Sequence, residues 1–339
     1  MNLFRFTKKL ISIPSPSGKE KEIADFLSVF FKFHDLPFEK QKINDNRCNL
    51  WIMPEKNYKV LLCTHLDTVS PFIPPSEDQR YLYGRGACDA KGILAAMIQA
   101  SLELKKEGHT GFGLLLVAGE EADSAGAKQA SSSGKTSRYI VVGEPTQNRM
   151  GKNHLGYLAL KLKADGKAAH SAFPRLGDSA VEKLLDALIQ LRSLVSSRGG
   201  NQGFFMNIAR LRGGSEPNII PDYAESLVSF RTGISSQNLL KKIQKVLPSE
   251  IKTTVLNCSE PQKMTTLPFF DQTTLPYGTD IPYLKNFGRP LLFGPGAEED
   301  THTEKEKIDK KELSDSVSHY KKIVKHLLSE ADKSFDTQN

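Results

Sequence analysis

The chain has 339 residues, enough for one large domain or two ordinary ones. Apolar residues make up 39% and charged residues 25%, an ordinary globular balance, and no run approaches the roughly 20 apolar residues of a membrane span. The net charge of +7 comes from lysines mixed with acids, as in KEKIDKKELSD, without a basic stripe interleaved with aromatics, so neither nucleic acid nor membrane is an expected partner.

The opening MNLFRFTKKLISIPSPSG lacks a signal peptide's order of charge, apolar run and small-residue cleavage site, and is expected to form the first helix. SPSGKEKEIADFLSVFFKF reads as a turn and an amphipathic helix with Ser17 as N-cap. KVLLCTHLDT is a short apolar strand, Val60 to Cys63, running into His65 and Asp67. YLYGRGACDAKGILAAMIQASLELKKEG is a glycine-rich turn and then a helix with Ile93, Met97 and Leu102 at apolar spacing. TGFGLLLVAGEE is a strand ending in Glu120 and Glu121, and RYIVVGEPT another, apolar from Tyr139 to Val142, ending in Glu144. RPLLFGPGAEEDTH repeats the pattern with His302, and a last helix is expected from about Lys310 to Glu330. Cys48, Cys63, Cys88 and Cys258 form no C-x-x-C pair, which fits a reducing cytoplasm; Cys63, in an apolar run, reads as a small buried hydrophobe.

Strands that are apolar throughout and alternate with helices predict an α/β fold with a mainly parallel sheet, whose ligands bind beyond the carboxyl ends of the strands. The middle differs. LGYLALKLKADG alternates as a half-exposed strand; SAVEKLLDALIQLRSLV is an amphipathic helix; FFMNIARLRGG and AESLVSFRT are strands; QNLLKKIQKVL is a helix and IKTTVLN a strand. That β-α-β-β-α-β order predicts a ferredoxin-like α+β domain over 154–258, inserted in a catalytic domain of 1–153 and 259–339. ASSSGKTS and SSRGGNQG read as short loops.

His65, Asp67, Asp89, Glu120, Glu121, Glu144 and His302 gather at predicted strand ends. Two histidines with several carboxylates suit zinc, manganese or cobalt, and about that many ligands serve two divalent ions if one carboxylate bridges. Such a pair binds a water and lowers its pKa. One of Glu120 and Glu121 can then coordinate while the other takes the water's proton, the cations offsetting their mutual repulsion. Asp67, two residues beyond His65 on a strand, can accept the other ring N–H of that histidine. Taken singly, each residue also has an ordinary reading. His65 could be a core histidine, Asp89 a turn residue, Glu144 a loop acid, Glu120 and Glu121 a helix start and Arg231 a surface ion-pair partner; His302 and His170 could be solvated loop residues. His34, His109, His154, His319 and His326 read as surface or helix residues, with His154 near a hinge.

HLDTV, YGRGACDAKG, GEE, VGEPT, GKAAHSAFP, GGSEPNIIPD, FRT, TDIPYL and GPGAEEDTHTEKE occur in this order over nearly the whole chain. The sequence thereby resembles the co-catalytic metallo-amidohydrolases and exopeptidases that include acetylornithine deacetylase, succinyl-diaminopimelate desuccinylase, aminoacylase and glutamate carboxypeptidase. The resemblance implies two divalent ions per subunit, zinc being usual and cobalt or manganese able to substitute. His65 and Glu144 would hold one, Glu121 and His302 the other, with Asp89 bridging. Asp67 would orient His65, and Glu120 would be the general base. The inserted domain would be a lid and homodimerisation domain. Its His170 would reach the partner subunit's active site and stabilise the oxyanion, Arg231 would clamp a substrate carboxylate, and Asn218 would assist. Gly294 to Gly296 would line the pocket. Thr301 stands where the family often has Ala, and GEEADSAGA carries an additional acid, Asp123. The short length and the wording VGEPT…GKAAHS look most like the branch of deacylases of N-acyl amino acids in arginine and lysine biosynthesis. A di- or tripeptide exopeptidase with the same metal core is the alternative, and a metal-binding protein without turnover the third reading.

Overall fold

A computed structural model describes residues 1–195 and 204–336, so the loop expected at SSRGGNQG lies outside the described residues. The chain forms two compact units, one of Met1–Lys152, Met264–Thr273 and Thr279–Asn339, the other of Asn153–Lys263 and Thr274–Gly278. Among the described residues no helix is long and apolar enough to cross a membrane.

The first unit is built on a sheet whose centre is parallel. Phe112–Val117, Asn57–His65, Thr136–Val142 and Arg289–Leu292 lie side by side in that order, all parallel. Their sequences explain the arrangement: Phe112–Val117 is buried at every position, as a strand covered on both faces must be. A hairpin of Phe38–Asn44 and Arg47–Ile52 closes one edge antiparallel. Helices Leu3–Ile11, Lys21–Phe33, Lys91–Lys106 and Lys310–Asp336 cover the sheet. Ile93, Met97, Leu104, Leu313, Ile323 and Val324 pack with the buried strand residues in one core. Cys63 is buried, as expected.

The start of the second helix differs from expectation. Lys21–Phe33 has Glu20 at the N-cap position, and the Ser17 hydroxyl instead donates to Asp67 Oδ2 at 2.7 Å. The glutamates after Val117 start no helix either; they lie in a turn, and the next helix begins at Ala125.

The second unit has the β-α-β-β-α-β order read from the sequence. Its four antiparallel strands lie in the order Phe204–Gly213, Tyr223–Thr232, Gly156–Asp165, Ile251–Ser259. Leu158, Leu160, Leu162 and Ala164, every second residue of one strand, pack against Leu184, Leu188 and Leu191 of helix Ala180–Leu194 and Leu239 and Ile243 of helix Ser236–Val246. Each helix has a serine cap: Ser179 accepts from the Glu182 N–H and Ser235 from that of Asn238.

Candidate metal centre

Each parallel strand of the first unit delivers an acid or a histidine at its carboxyl end. His65 is the last residue of Asn57–His65, Glu120 and Glu121 follow Val117, Glu144 follows Val142, and the segment after Leu292 leads to His302. Asp89 comes from the turn before helix Lys91–Lys106 and precedes a cis peptide to Ala90. Five of these residues, all but Glu120, form two overlapping groups. His65, Asp89 and Glu144 each offer a ligand atom within 4.8 Å of the others, and so do Asp89, Glu121 and His302.

Asp89 is shared. Its Oδ1 lies 2.9 Å from His65 Nε2 and its Oδ2 3.5 Å from His302 Nε2, one oxygen toward each histidine, as a bridging carboxylate requires. His302 Nε2 is also 2.9 Å from Glu121 Oε1, and its backbone takes a positive φ of 60°, rare for a residue other than glycine.

The electrostatics fit a cationic occupant. Burial pushes the carboxyls of Glu120, Glu121 and Glu144 upward, and their negative neighbours add to it: Glu144 and Asp280 for Glu120, Asp89 for Glu121 and Glu144. Hydrogen bonds to Asp89 and Glu121 push the His302 imidazole up to about 10. A buried group of carboxylates raised by one another, with two imidazoles between them, is a donor set for divalent metal of the hard-to-borderline kind.

Asp67 meets His65 through both its backbone and its side chain. The ring nitrogen Nδ1 of His65 faces the backbone carbonyl of Asp67 at 2.9 Å, while the carboxylate lies 3.5 Å away. Residue i+2 of a strand shares a face with i, which brings the side chain near; the chain turns immediately after His65 and presents the carbonyl as well. The carboxylate also accepts the backbone N–H groups of Gly119, Glu120 and Glu121 at 2.9, 3.1 and 3.1 Å. Although buried, it is held below the usual carboxylate range by His65, the Ser17 hydroxyl and the Glu121 N–H. Asp67 thus anchors the turn that carries both glutamates. The same turn is braced by Asp123, whose carboxylate makes a bidentate pair with Arg47 at 2.9 and 2.7 Å.

Gly294 and Gly296 permit close approach. A Cβ on Gly294 would lie 2.5 Å from the Glu144 carbonyl oxygen, and one on Gly296, at φ +96°, 2.4 Å from Cys88 Sγ. Both glycines therefore press the last parallel strand's loop against the segments bearing Glu144 and Asp89.

One acid had no role in the sequence reading. Asp280 is 2% exposed, and neither carboxylate oxygen makes a hydrogen bond of ordinary geometry. Burial pushes it up to about 6 against the pull of Ser124 and His65. The available signal was TDIPYL, an acid between Thr279 and Pro282 in a segment without strand or helix periodicity.

The remaining predicted residues belong to the second unit. Ser171 N–H donates to the Asn218 carbonyl at 2.9 Å and His170 pairs with Ile219, so His170 and Asn218 are neighbours. The His170 ring is exposed, with Nδ1 accepting from the Ala172 N–H at 3.1 Å. Arg231 stacks on Tyr157, 4.6 Å from the ring centroid, and makes no ion pair among the described residues; burial pushes its guanidinium down. His154, expected at the surface or a hinge, is buried, with Nδ1 facing the Leu155 carbonyl and Nε2 without a partner.

These shifts fix a pH dependence for the metal-free protein. Glu120, Glu121, Glu144, Asp280 and His302 have folded values above their unfolded ones, so each stabilises fully below the unfolded value, and that contribution is lost as pH rises through the folded value. Asp67 and Asp89 are lowered and already contribute fully above about pH 5. Chelated protein is therefore expected to lose thermal stability between about pH 5.5 and pH 8, and zinc or cobalt to restore it. Melting curves with chelator and with metal at both pH values check this; a metal-free midpoint that rises with pH contradicts it.

A sequence model described as Peptidase family M20/M25/M40 matches residues 61–326. A peptidase M20 domain-containing protein of Schizosaccharomyces pombe is 34% identical over 96% of this chain and 85% of its own. A protein of Aspergillus fumigatus named "Probable carboxypeptidase" is 33% identical over 96% of this chain and 87% of its own. A solved structure of a tripeptidase from Staphylococcus aureus superposes with a TM-score of 0.82 at 22% identity, covering 96% of this chain and 97% of that one, and so shares the fold. The match runs from within the strand that ends in His65 into the final helix, across every element that carries a member of the cluster, and on that ground the chain belongs to peptidase family M20/M25/M40, a family of hydrolases.

Proposed function

We propose that the protein is a metal-dependent exopeptidase acting on short peptides. The observation that carries this is the double cluster sharing Asp89, with the half-buried Glu120 within reach of its charges, in a chain whose near-full-length relatives include one named as a carboxypeptidase. That name favours the peptidase reading over the deacylase of N-acyl amino acids, whose chemistry would use the same core.

In this reading His65 and Glu144 would hold one divalent ion and Glu121 and His302 the other, with Asp89 available to both; zinc is the favoured metal, with cobalt or manganese as substitutes. When bound, the ions polarise the scissile carbonyl and acidify water. Glu120 takes the proton of the attacking water and delivers it to the leaving amine. Burial and the neighbouring Glu144 and Asp280 raise its proton affinity, the direction a proton carrier needs. The Asp67 carboxylate fixes the Glu120 backbone for that task. Arg231, desolvated and without an acid of its own among the described residues, pairs with the substrate's α-carboxylate through its planar fork. Asn218 assists in holding the substrate, and His170 reaches the partner subunit's active site and donates to the developing oxyanion there.

The second unit is proposed as a lid and homodimerisation domain. Leu185 and Ile189, one turn apart on helix Ala180–Leu194, and Phe205, Ile208 and Leu211 on the sheet's edge strand are large apolar side chains left exposed. A cytoplasmic location suits the four unpaired cysteines.

The test is amine release by the zinc-loaded protein from unblocked di- and tripeptides, N-blocked dipeptides, N-acetylornithine, N-succinyl-diaminopimelate and N-acetylmethionine. Hydrolysis of the peptides with little from the single N-acyl amino acids is expected. Turnover confined to one N-acyl amino acid would replace the peptidase reading by the deacylase one.

A further inference from the structure

Arg85 and Glu306 form a buried ion pair in the first unit. Arg85 Nη1 donates to Glu306 Oε2 at 2.6 Å, with side chains 2% and 0% exposed. Two charges so far from water are costly to desolvate, and such a pair is kept only where its remaining hydrogen-bonding capacity is filled. Neither residue belongs to the acid and histidine groups described above.

The hydrogen bonds of Glu306 show where it acts. Its other oxygen, Oε1, accepts three backbone N–H groups, from Gly86 at 2.9 Å, Cys88 at 3.1 Å and Asp89 at 3.1 Å. Its backbone carbonyl accepts from the Gly84 N–H at 3.0 Å. Arg85 is tied in turn to the Pro71 carbonyl through Nε at 3.2 Å, and its N–H to the Ile73 carbonyl at 3.1 Å. Residues 84–89 are thus wrapped round a single carboxylate, and the last N–H it holds is that of Asp89. Burial pushes the Glu306 carboxyl up, while the Asp89 N–H and Arg85 act against it.

Glu306 also lies four residues beyond His302. One side chain therefore joins the loop that carries Asp89 to the loop that carries His302. Two members of the Asp89, Glu121 and His302 group lie on the segments it joins, but only one of the His65, Asp89 and Glu144 group.

We infer that Glu306, paired with Arg85, is a positioning residue that fixes the spacing of Asp89 and His302 and so builds the second metal position. It touches neither substrate nor ion. The inference rests on the two-ion reading proposed above, and it predicts an unequal effect on the two positions, which a general loss of stability would not produce.

The experiment is a titration of the metal-free protein with cobalt(II), read by visible absorption and calorimetry, for the wild type, Glu306→Gln and Glu306→Asp, with the metal-free melting temperature as a check on folding. Gln keeps the size but sets an amide NH2 against either Arg85 or the three N–H groups; Asp keeps the charge but withdraws the acceptor by one methylene. The wild type is expected to take two equivalents. Both variants are expected to bind the first nearly as well, to bind the second about 10–100-fold more weakly, and to show an altered cobalt spectrum for it. If Glu306→Gln does not fold, Glu306→Asp carries the same comparison. A second equivalent taken up with unchanged affinity and spectrum, or an equal weakening of both, overturns the inference. A wild type that binds fewer than two equivalents overturns the two-ion reading itself, and the inference with it.

Discussion

Glu120→Gln is expected to lower kcat by about 10²–10⁴-fold, the usual worth of a positioned general base, while both metal ions remain bound. Glu120 belongs to neither group of three that could hold an ion, so its carboxylate is free for proton transfer. Its N–H is held by Asp67 Oδ1 at 3.1 Å, and Gln preserves that backbone contact together with the size of the side chain. KM should change little, because the group acts on the water's proton rather than on the substrate's recognition elements. Steady-state peptide hydrolysis alongside metal analysis of the same preparation checks this. Activity within tenfold of the wild type in a fully loaded variant would assign the base elsewhere, and Asp280, buried with raised proton affinity, would be next to test.

Asp89→Asn is expected to empty the centre. The two groups share this residue alone, and each of its oxygens faces a different histidine. An amide offers one neutral oxygen in place of two that share a negative charge, so one position is left with one histidine and one glutamate and the other with a weak neutral third ligand. Affinity should fall by more than about 100-fold, beyond the usual effect of removing a supporting residue. Dialysed protein should retain fewer than one ion per chain, with peptidase activity falling in parallel. The buried Glu306 and Arg85 pair and the three N–H bonds it receives do not involve the Asp89 side chain, so the fold should survive. Two tightly held ions in a folded Asp89→Asn protein would mean that Asp89 does not bridge.

The parts of this centre that were legible in the sequence are those that local pattern controls. A strand apolar at every position must be covered on both faces, and a parallel strand so covered presents its carboxyl end to a crevice. His65, Glu120, Glu121, Glu144 and His302 could be read as convergent on that basis without their contacts being known. The alternation of Leu158, Leu160 and Leu162 gave the half-exposed strand of the second unit in the same way. Less legible were residues whose partners lie far along the chain. Ser17 looks like a helix cap, because serine before an acidic first turn usually is one, yet its hydroxyl is drawn to Asp67, 50 residues away. The hairpin Phe38–Ile52 carries little local signal, because its outer strand, FEKQKIN, is largely exposed and polar. Glu306 sits in an acid- and lysine-rich segment that resembles a solvated loop, and only its folded contacts reveal the three N–H groups and the arginine around it. Asp123 looked like a departure from a family pattern and is the partner of Arg47. The substrate was the least legible, since deacylase and peptidase share the metal core and differ in side chains that no local pattern marks.

The most direct test of the central claim is anomalous diffraction from crystals of the zinc-loaded protein. Two peaks about 3.5–4 Å apart are expected, one against His65 and Glu144, the other against Glu121 and His302, with Asp89 between them. A single peak, or two peaks away from these residues in protein that hydrolyses peptides, would contradict the account.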